Sequence, residues 1–169
     1  MAYGNAALRA VARLAAEEEL MRSLNAVGKI KVETEGKPPF RKYTVTVCGA
    51  TYVKSAVEDG EPERSSGPHI FMIRAPANYP LTEAPIVTFV SRPPAHVNVY
   101  RGGQVCVGAW SPSETLASET VRTIRVLFLD PATYNFNSAA DSNCKDFCKK
   151  YSGGVPKNFE LPCPAFGVK

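Results

Sequence analysis

Leu8, Val11, Leu14, Met21 and Leu24 recur at helical spacing near the start of the chain, with Arg9, Arg13, Glu17 and Glu18 mostly off that stripe. The pattern predicts an amphipathic helix from about residue 5 to 26, stopped by Gly28. The period then changes. IKVETEG alternates every second residue, and YTVTVCGATYVKS does so after the break at Pro38-Pro39, which predicts two antiparallel strands. EDGEPERSSGP is polar and rich in proline and glycine, and reads as a loop. HIFMIRAP and APIVTFV, separated by NYPLTE, supply two more strands, so a four-strand meander results. Beyond a short irregular stretch, TLASETVRTIRVLFLDP returns to the helical period with Leu116, Val121, Ile124, Leu127 and Phe128 on one face, closed by Pro131. Asn137 to Lys150 is expected to add another helix, and no internal repeat is found. The class is α+β. One domain is expected over residues 1–150, with residues 151–169 as an extended arm packed on it or trailing from it.

Composition narrows the function more than the fold. A chain of 169 residues, 44% hydrophobic, suits one ordinary core. The net charge of +4 is spread without a Lys/Arg-rich run, which argues against a nucleic-acid partner. Arg9, Arg13 and three glutamates interrupt the N-terminal segment, so it reads neither as a signal-peptide core nor as a membrane span. Five cysteines, an odd number without disulfide-scaffold spacing, fit free thiols and a cytoplasmic location. Cys144 and Cys148 share a helix face at i, i+4, and Cys163 lies in Pro-Cys-Pro. With only the distant His69 to complete a set, they read as packing residues, and no metal or cofactor is expected.

The chemistry concentrates in AHVNVYRGGQVCVGAWSP, residues 95 to 112. Cys106 follows a Gly-Gly turn and a short apolar run, with His96 and Asn98 just upstream. A thiol beside a side-chain amide has the ingredients of a covalent acyl carrier, although a buried strand cysteine carries the same local sequence. His96 is open to two readings, base or loop anchor, and the second is preferred. Asn98 could donate to a developing oxyanion, because an amide N–H donates without being ionised.

Read in order, Gly67-Pro68, Tyr79-Pro80, Pro85-Ile86-Val87-Thr88-Phe89, His96-Val97-Asn98, Cys106, Trp110-Ser111-Pro112 and Asp130-Pro131 resemble the landmark series of the ubiquitin-conjugating (UBC) family. The resemblance implies the UBC-like fold: N-terminal helix, four-stranded antiparallel meander, active-site cysteine stretch and C-terminal helices. It also implies an enzyme needing no cofactor. Cys106 would accept a ubiquitin-like protein as a thioester from an adenylating, activating enzyme and pass it to a lysine of a target protein, with or without a ligase. Asn98 would then stabilise the oxyanion or brace the loop, and His96, Asn135 and Trp110 would support the site. Arg9 and Arg13 on the first helix would meet the activating enzyme, and Leu81 and Pro112 a ligase. Three departures stand out: Val97 replaces a proline, only three residues separate Cys106 from Trp110, and Asn135 falls where many relatives carry an aspartate. They resemble the conjugating enzymes of bacterial ubiquitin-like modification (Bil-type) operons and suggest an antiviral pathway. Two rivals remain at this stage, a non-catalytic UBC-like variant that only binds the modifier and a Cys-His hydrolase using Cys106 and His96.

Overall fold

The computed structural model describes residues 2–57, 60–156 and 159, with side chains described from residue 8 onward. Helix α1 (Ala2–Ser23) continues as a 3-10 turn, Leu24–Ala26, into strand β1 (Ile30–Glu35). Then come β2 (Lys42–Val47), β3 (Thr51–Val53), β4 (Glu63–Ser65), β5 (His69–Arg74), β6 (Ile86–Phe89), helix α2 (Leu116–Leu127) and helix α3 (Lys145–Lys150). The main sheet runs β1-β2-β5-β6, antiparallel throughout, and β3 and β4 form a separate two-stranded ribbon inserted between its second and third strands. The α+β order of helix, meander, cysteine stretch and helices is thus as expected.

Alternation explains the sheet's inner face. Register places Val32 opposite Val45, Val45 opposite Phe71 and Phe71 opposite Phe89, with Tyr43, Ile73 and Val87 in the next row. Tyr43, Val45, Phe71, Ile73 and Val87 are fully buried against Leu14, Met21 and Leu24 of α1 and Leu116, Ile124 and Leu127 of α2. Helix α2 begins in a reciprocal cap: the Thr115 hydroxyl accepts from the Ser118 N–H while the Ser118 hydroxyl accepts from the Thr115 N–H.

Three expectations change. YTVTVCGATYVKS is not one strand, because the chain breaks at Cys48-Gly49-Ala50. A side chain at Gly49 would meet the Phe128 ring at 2.6 Å, so the backbone passes flush over α2's last turn there and emerges as β3. The supposed loop EDGEPERSSGP contains β4, a pairing that polar composition concealed. The helix expected from Asn137 to Lys150 starts late: residues 137–141 are turn and irregular chain, and only a 3-10 turn at Ser142–Cys144 and the short α3 are helical.

The stripe on α1 is also only partly the buried one: Leu8 and Val11 are 69% and 50% exposed, whereas Glu17 is fully buried. At about 100° per residue, Leu8 falls opposite the direction set by Leu14, Met21 and Leu24, and Arg13 and Glu17 fall beside it. Of the C-terminal arm, residues 151–156 run without helix or strand, the Gly153 N–H donates to the Leu129 carbonyl at 2.9 Å, and the Phe159 ring packs on Phe128. Cys163 lies outside the described residues.

Candidate active site

The cysteine stretch is placed by the free edge of the meander. Phe89 N–H donates to the Gly103 carbonyl, and Val105 N–H donates to the Val87 carbonyl, so residues 103–105 lie along β6. Gly103 has φ +87°, and a Cβ there would come within 3.0 Å of the Phe89 carbonyl oxygen, which requires glycine at this turn. Val99 bridges Val105, and one step further the Cys106 N–H donates to the Asn98 carbonyl at 2.7 Å. Asn98 and Cys106, eight positions apart in sequence, are therefore bonded neighbours. The Cys106 residue is half-buried; Cys48 is exposed, and Cys144 and Cys148 are buried.

Asn98 is 2% exposed, and both ends of its amide are engaged. Its Nδ2 donates to the Thr133 carbonyl, and its Oδ1 accepts from the Asn135 N–H at 3.1 Å. It ties the cysteine hairpin to the turn that follows α2. Asn135 itself is exposed, and its Oδ1 accepts from the Ser138 N–H, the geometry of a turn residue.

His96 is sealed. Its Nδ1 accepts from the Asn98 N–H at 3.0 Å, which puts the proton on Nε2, where it is donated to the Thr133 hydroxyl at 3.1 Å; that hydroxyl donates to the Asp130 carbonyl. Burial, reinforced by the charges of Arg122 and Lys54, lowers its pKa to about 3. Fully buried and with both ring nitrogens occupied, it is an anchor for the Asn98 loop and is not placed to take a proton from a thiol.

Trp110 links two loops: its Nε1 donates to the Pro80 carbonyl at 3.1 Å and its ring lies 5.6 Å from that of Tyr79. Leu81, 76% exposed, and the exposed Pro112 flank this link. Arg9 is exposed. Arg13 does not present a free face as expected. Its guanidinium pairs with Glu17 at 2.8 Å, donates to the Pro112 and Glu114 carbonyls and lies over the Tyr79 ring.

Cys144 and Cys148 sit with Ala95 and Val97 in a second small core, packed by Tyr52, Tyr134, Phe136, Ala139 and Phe147. Burial pushes the Cys144 thiol up to about 11 and raises that of Cys148. Val97, in the place of the expected proline, is fully buried in this cluster, and its carbonyl accepts from the Ala140 and Asp141 N–H groups. The apolar contact and the two backbone bonds hold the loop at this position.

Sequence reasoning missed Thr133, Glu119 and Arg122. Arg122 donates to the carbonyls of Cys106 and Val107, and Glu119, 4% exposed, lies 3.2 Å from its guanidinium. The available signal was Glu119 and Arg122 at i, i+3 on a helix whose other faces pack. Burial raises the Glu119 carboxyl to about 7 against the opposing charge of Arg122, and Glu114 adds to the rise. A carboxyl raised from 4.5 binds more protons folded than unfolded. Its ionisation therefore costs nothing below pH 4.5 and costs most above pH 7. The stability of Glu119→Gln relative to the wild-type chain is expected to improve by roughly 1–3 kcal/mol on going from below pH 4.5 to above pH 7, read from urea melts across that range. A constant difference at every pH would contradict this.

No protein-family model matches the chain. It is 30% identical over 113 residues to ubiquitin-conjugating enzyme 15 of Arabidopsis thaliana, an alignment covering 63% of this chain and 64% of that protein. The chain thus spans somewhat less than two thirds of that relative's length. Among solved structures, the Plasmodium vivax ubiquitin conjugating enzyme E2 aligns with a TM-score of 0.49 and 23% identity, over 68% of this chain and 98% of its own. Similarity to ubiquitin-conjugating enzymes is therefore present in sequence, at modest identity. Among the described residues no helix is long and apolar enough to cross a membrane, and no group of three or more His, Cys, Asp or Glu side chains could hold a metal ion.

Proposed function

We propose that this protein is a conjugating enzyme of the ubiquitin type, acting from a UBC-like domain over residues 1–150, with Cys106 as its acyl carrier. The observation that carries the reading is the combination at the site: a half-buried cysteine on a main-chain-braced segment bonded to Asn98, whose N–H in turn occupies a histidine with both ring nitrogens already used. A carrier needs a reachable sulfur but no strong base to activate water, since its thioester must survive until a target arrives. A Cys-His hydrolase needs the opposite, and the sealed His96 weighs against it. The Cys106 thiolate attacks the carbonyl of a ubiquitin-like protein's thioester on an activating enzyme. The new S–C bond forms as the bond to the activating enzyme's sulfur breaks, and that sulfur leaves as thiolate. A target lysine's amine then attacks the same carbonyl; the N–C bond forms, the Cys106 S–C bond breaks, and the amine's proton is lost to solvent. The location is proposed to be cytoplasmic, and the altered tripeptide and short run to Trp110 support a bacterial conjugation pathway with an antiviral role. Arg9 is offered as the point of contact with the activating enzyme, and Leu81 and Pro112 as that with a ligase.

The test is to incubate the protein with its activating enzyme, ATP and the modifier and to resolve the products on a non-reducing gel. A thiol-sensitive adduct at the summed mass supports the carrier. Absence of an adduct with retained modifier binding would instead make this a UBC-like binding module.

Asn98 acts in this scheme as a brace. Its Nδ2 and Oδ1 face the turn at Thr133 and Asn135, and its carbonyl faces Cys106. Asn98→Ala should slow charging and discharge alike and destabilise the fold by about 1–3 kcal/mol, because the Asn135 N–H and Thr133 carbonyl lose their partners. A defect confined to discharge would assign Asn98 to the oxyanion instead.

A further inference from the structure

From Cys106 to Thr115 the chain forms neither helix nor strand, so no ladder of backbone bonds holds the carbonyls beside the thiol. One side chain from another element does. Arg122, in the second turn of α2, places Nη2 3.2 Å from the Cys106 carbonyl oxygen and Nη1 2.5 Å from that of Val107. Both carboxylate oxygens of Glu119 lie 3.2 Å from the same Nη1 and fix the fork from behind. Immediately afterwards Gly108, at φ +79°, turns the chain away. On the opposite side the Cys106 N–H is held by the Asn98 carbonyl. Both main-chain groups of Cys106 are thus tied, one to the hairpin and one to α2.

We propose that Arg122, oriented by the buried Glu119, is the positioning residue of Cys106, clamping the peptide on its C-terminal side so that the thiol is held in one attitude toward successive partners. Helix α2 does not need this pair in order to fold. It has a reciprocal N-terminal cap and an apolar face, and a buried ion pair is a poor stabiliser compared with apolar residues of the same volume. What the pair supplies is location. A planar guanidinium spans two successive carbonyls and a carboxylate at once, which a lysine ammonium cannot do. A carrier thiol must meet a thioester carbonyl and later present its own carbonyl to an amine, and both steps depend steeply on orientation.

The functional half of this inference rests on the carrier reading, whereas the clamp itself does not, and the experiment keeps them apart. Hydrogen exchange by mass spectrometry on the full chain reads the segment Val105–Trp110, and single-turnover charging by the activating enzyme reads function. Arg122→Ala is expected to speed exchange of that segment on the order of tenfold while β2 and β5 stay protected. It should also lower the maximal charging rate on the order of tenfold, with the activating enzyme's half-saturating concentration unchanged within about twofold. Arg122→Lys should recover part of both, and Glu119→Gln should fall between Lys and wild type, since an amide oxygen still accepts from the guanidinium. These two conservative variants decide the matter if the alanine variant does not fold. Unchanged exchange in the segment overturns the clamp, and faster exchange with unaltered charging overturns its role in positioning. If the wild-type chain forms no thiol-sensitive adduct, the carrier reading has failed, and exchange alone decides the clamp.

Discussion

Cys106→Ala is expected to abolish the thiol-sensitive adduct, and Cys106→Lys to replace it with one that survives thiol treatment as an isopeptide. Rates of charging should fall by about three orders of magnitude or more in the alanine variant, as when a nucleophile is removed outright. Cys106→Ser should leave at most a slow, thiol-resistant ester, because a hydroxyl is far less ionised than a thiol near neutral pH. These variants are clean tests, since the two bonds that hold Cys106 both use its main chain: N–H to Asn98 and carbonyl to Arg122. A new side chain leaves those bonds in place, and the half-buried position tolerates polarity, so the melting temperature should move by no more than a few degrees. Persistence of a thiol-labile adduct in the alanine variant would move the chemistry to another sulfur. Cys48, which is exposed, would be examined first.

How much of this was legible in the sequence depends on what each element is buried against. The four strands of the main sheet and α2 were readable because one face of each meets a single apolar layer, which imposes a period on the residues. β3 and β4 were not. Their ribbon buries Thr51 and Val53 but leaves Glu63 and Arg64 exposed, so β4 carries no alternating signature and looks like loop. The Asn98 to Cys106 spacing pointed to a contact, and the hairpin across Gly102-Gly103 supplies it. What pattern reading could not reveal was which charged residues point inward. Arg13 and Glu17 fall mostly off the apolar stripe in the sequence, and nothing in the pattern singles out Glu119, yet each is engaged by a partner distant in sequence or on the neighbouring turn. Pairing across 60 to 100 residues leaves no periodic trace. His96 is the converse case: base and loop anchor were both open in the sequence, with the anchor preferred, and the positions of Asn98 and Thr133 show both ring nitrogens engaged.

The largest loss of stability is expected at Glu17. Its carboxylate is fully buried and serves three elements at once. Oε1 accepts from the Tyr79 hydroxyl at 2.5 Å and from Arg13 Nε at 2.8 Å, while Oε2 accepts from the Leu116 N–H at 2.8 Å, at the first residue of α2. Burial, with the Glu17 charge nearby, raises the Tyr79 pKa, so the phenol stays protonated and donates. Glu17→Ala would strip acceptors from a buried hydroxyl, from a partly buried guanidinium and from an orphan N–H at a helix N-terminus. Removing one partner of a buried ion pair typically costs about 3–5 kcal/mol, and the loss of a negative charge at the start of α2 acts in the same direction. Glu17→Gln keeps an acceptor for Leu116 but not the charge, and should cost about 1–2 kcal/mol. A double-mutant cycle of Glu17→Ala with Tyr79→Phe should show a coupling of about 1–3 kcal/mol, measured from urea midpoints. Because Arg13 also donates to the Pro112 and Glu114 carbonyls, the loss should spread to that loop, visible as faster hydrogen exchange from Ser111 to Leu116. Simple additivity, with unaltered exchange there, would show that the carboxylate only fills space. Coupling with faster exchange would show instead that one buried charge joins α1, the loop before Leu81 and the start of the helix that holds Arg122 against the cysteine.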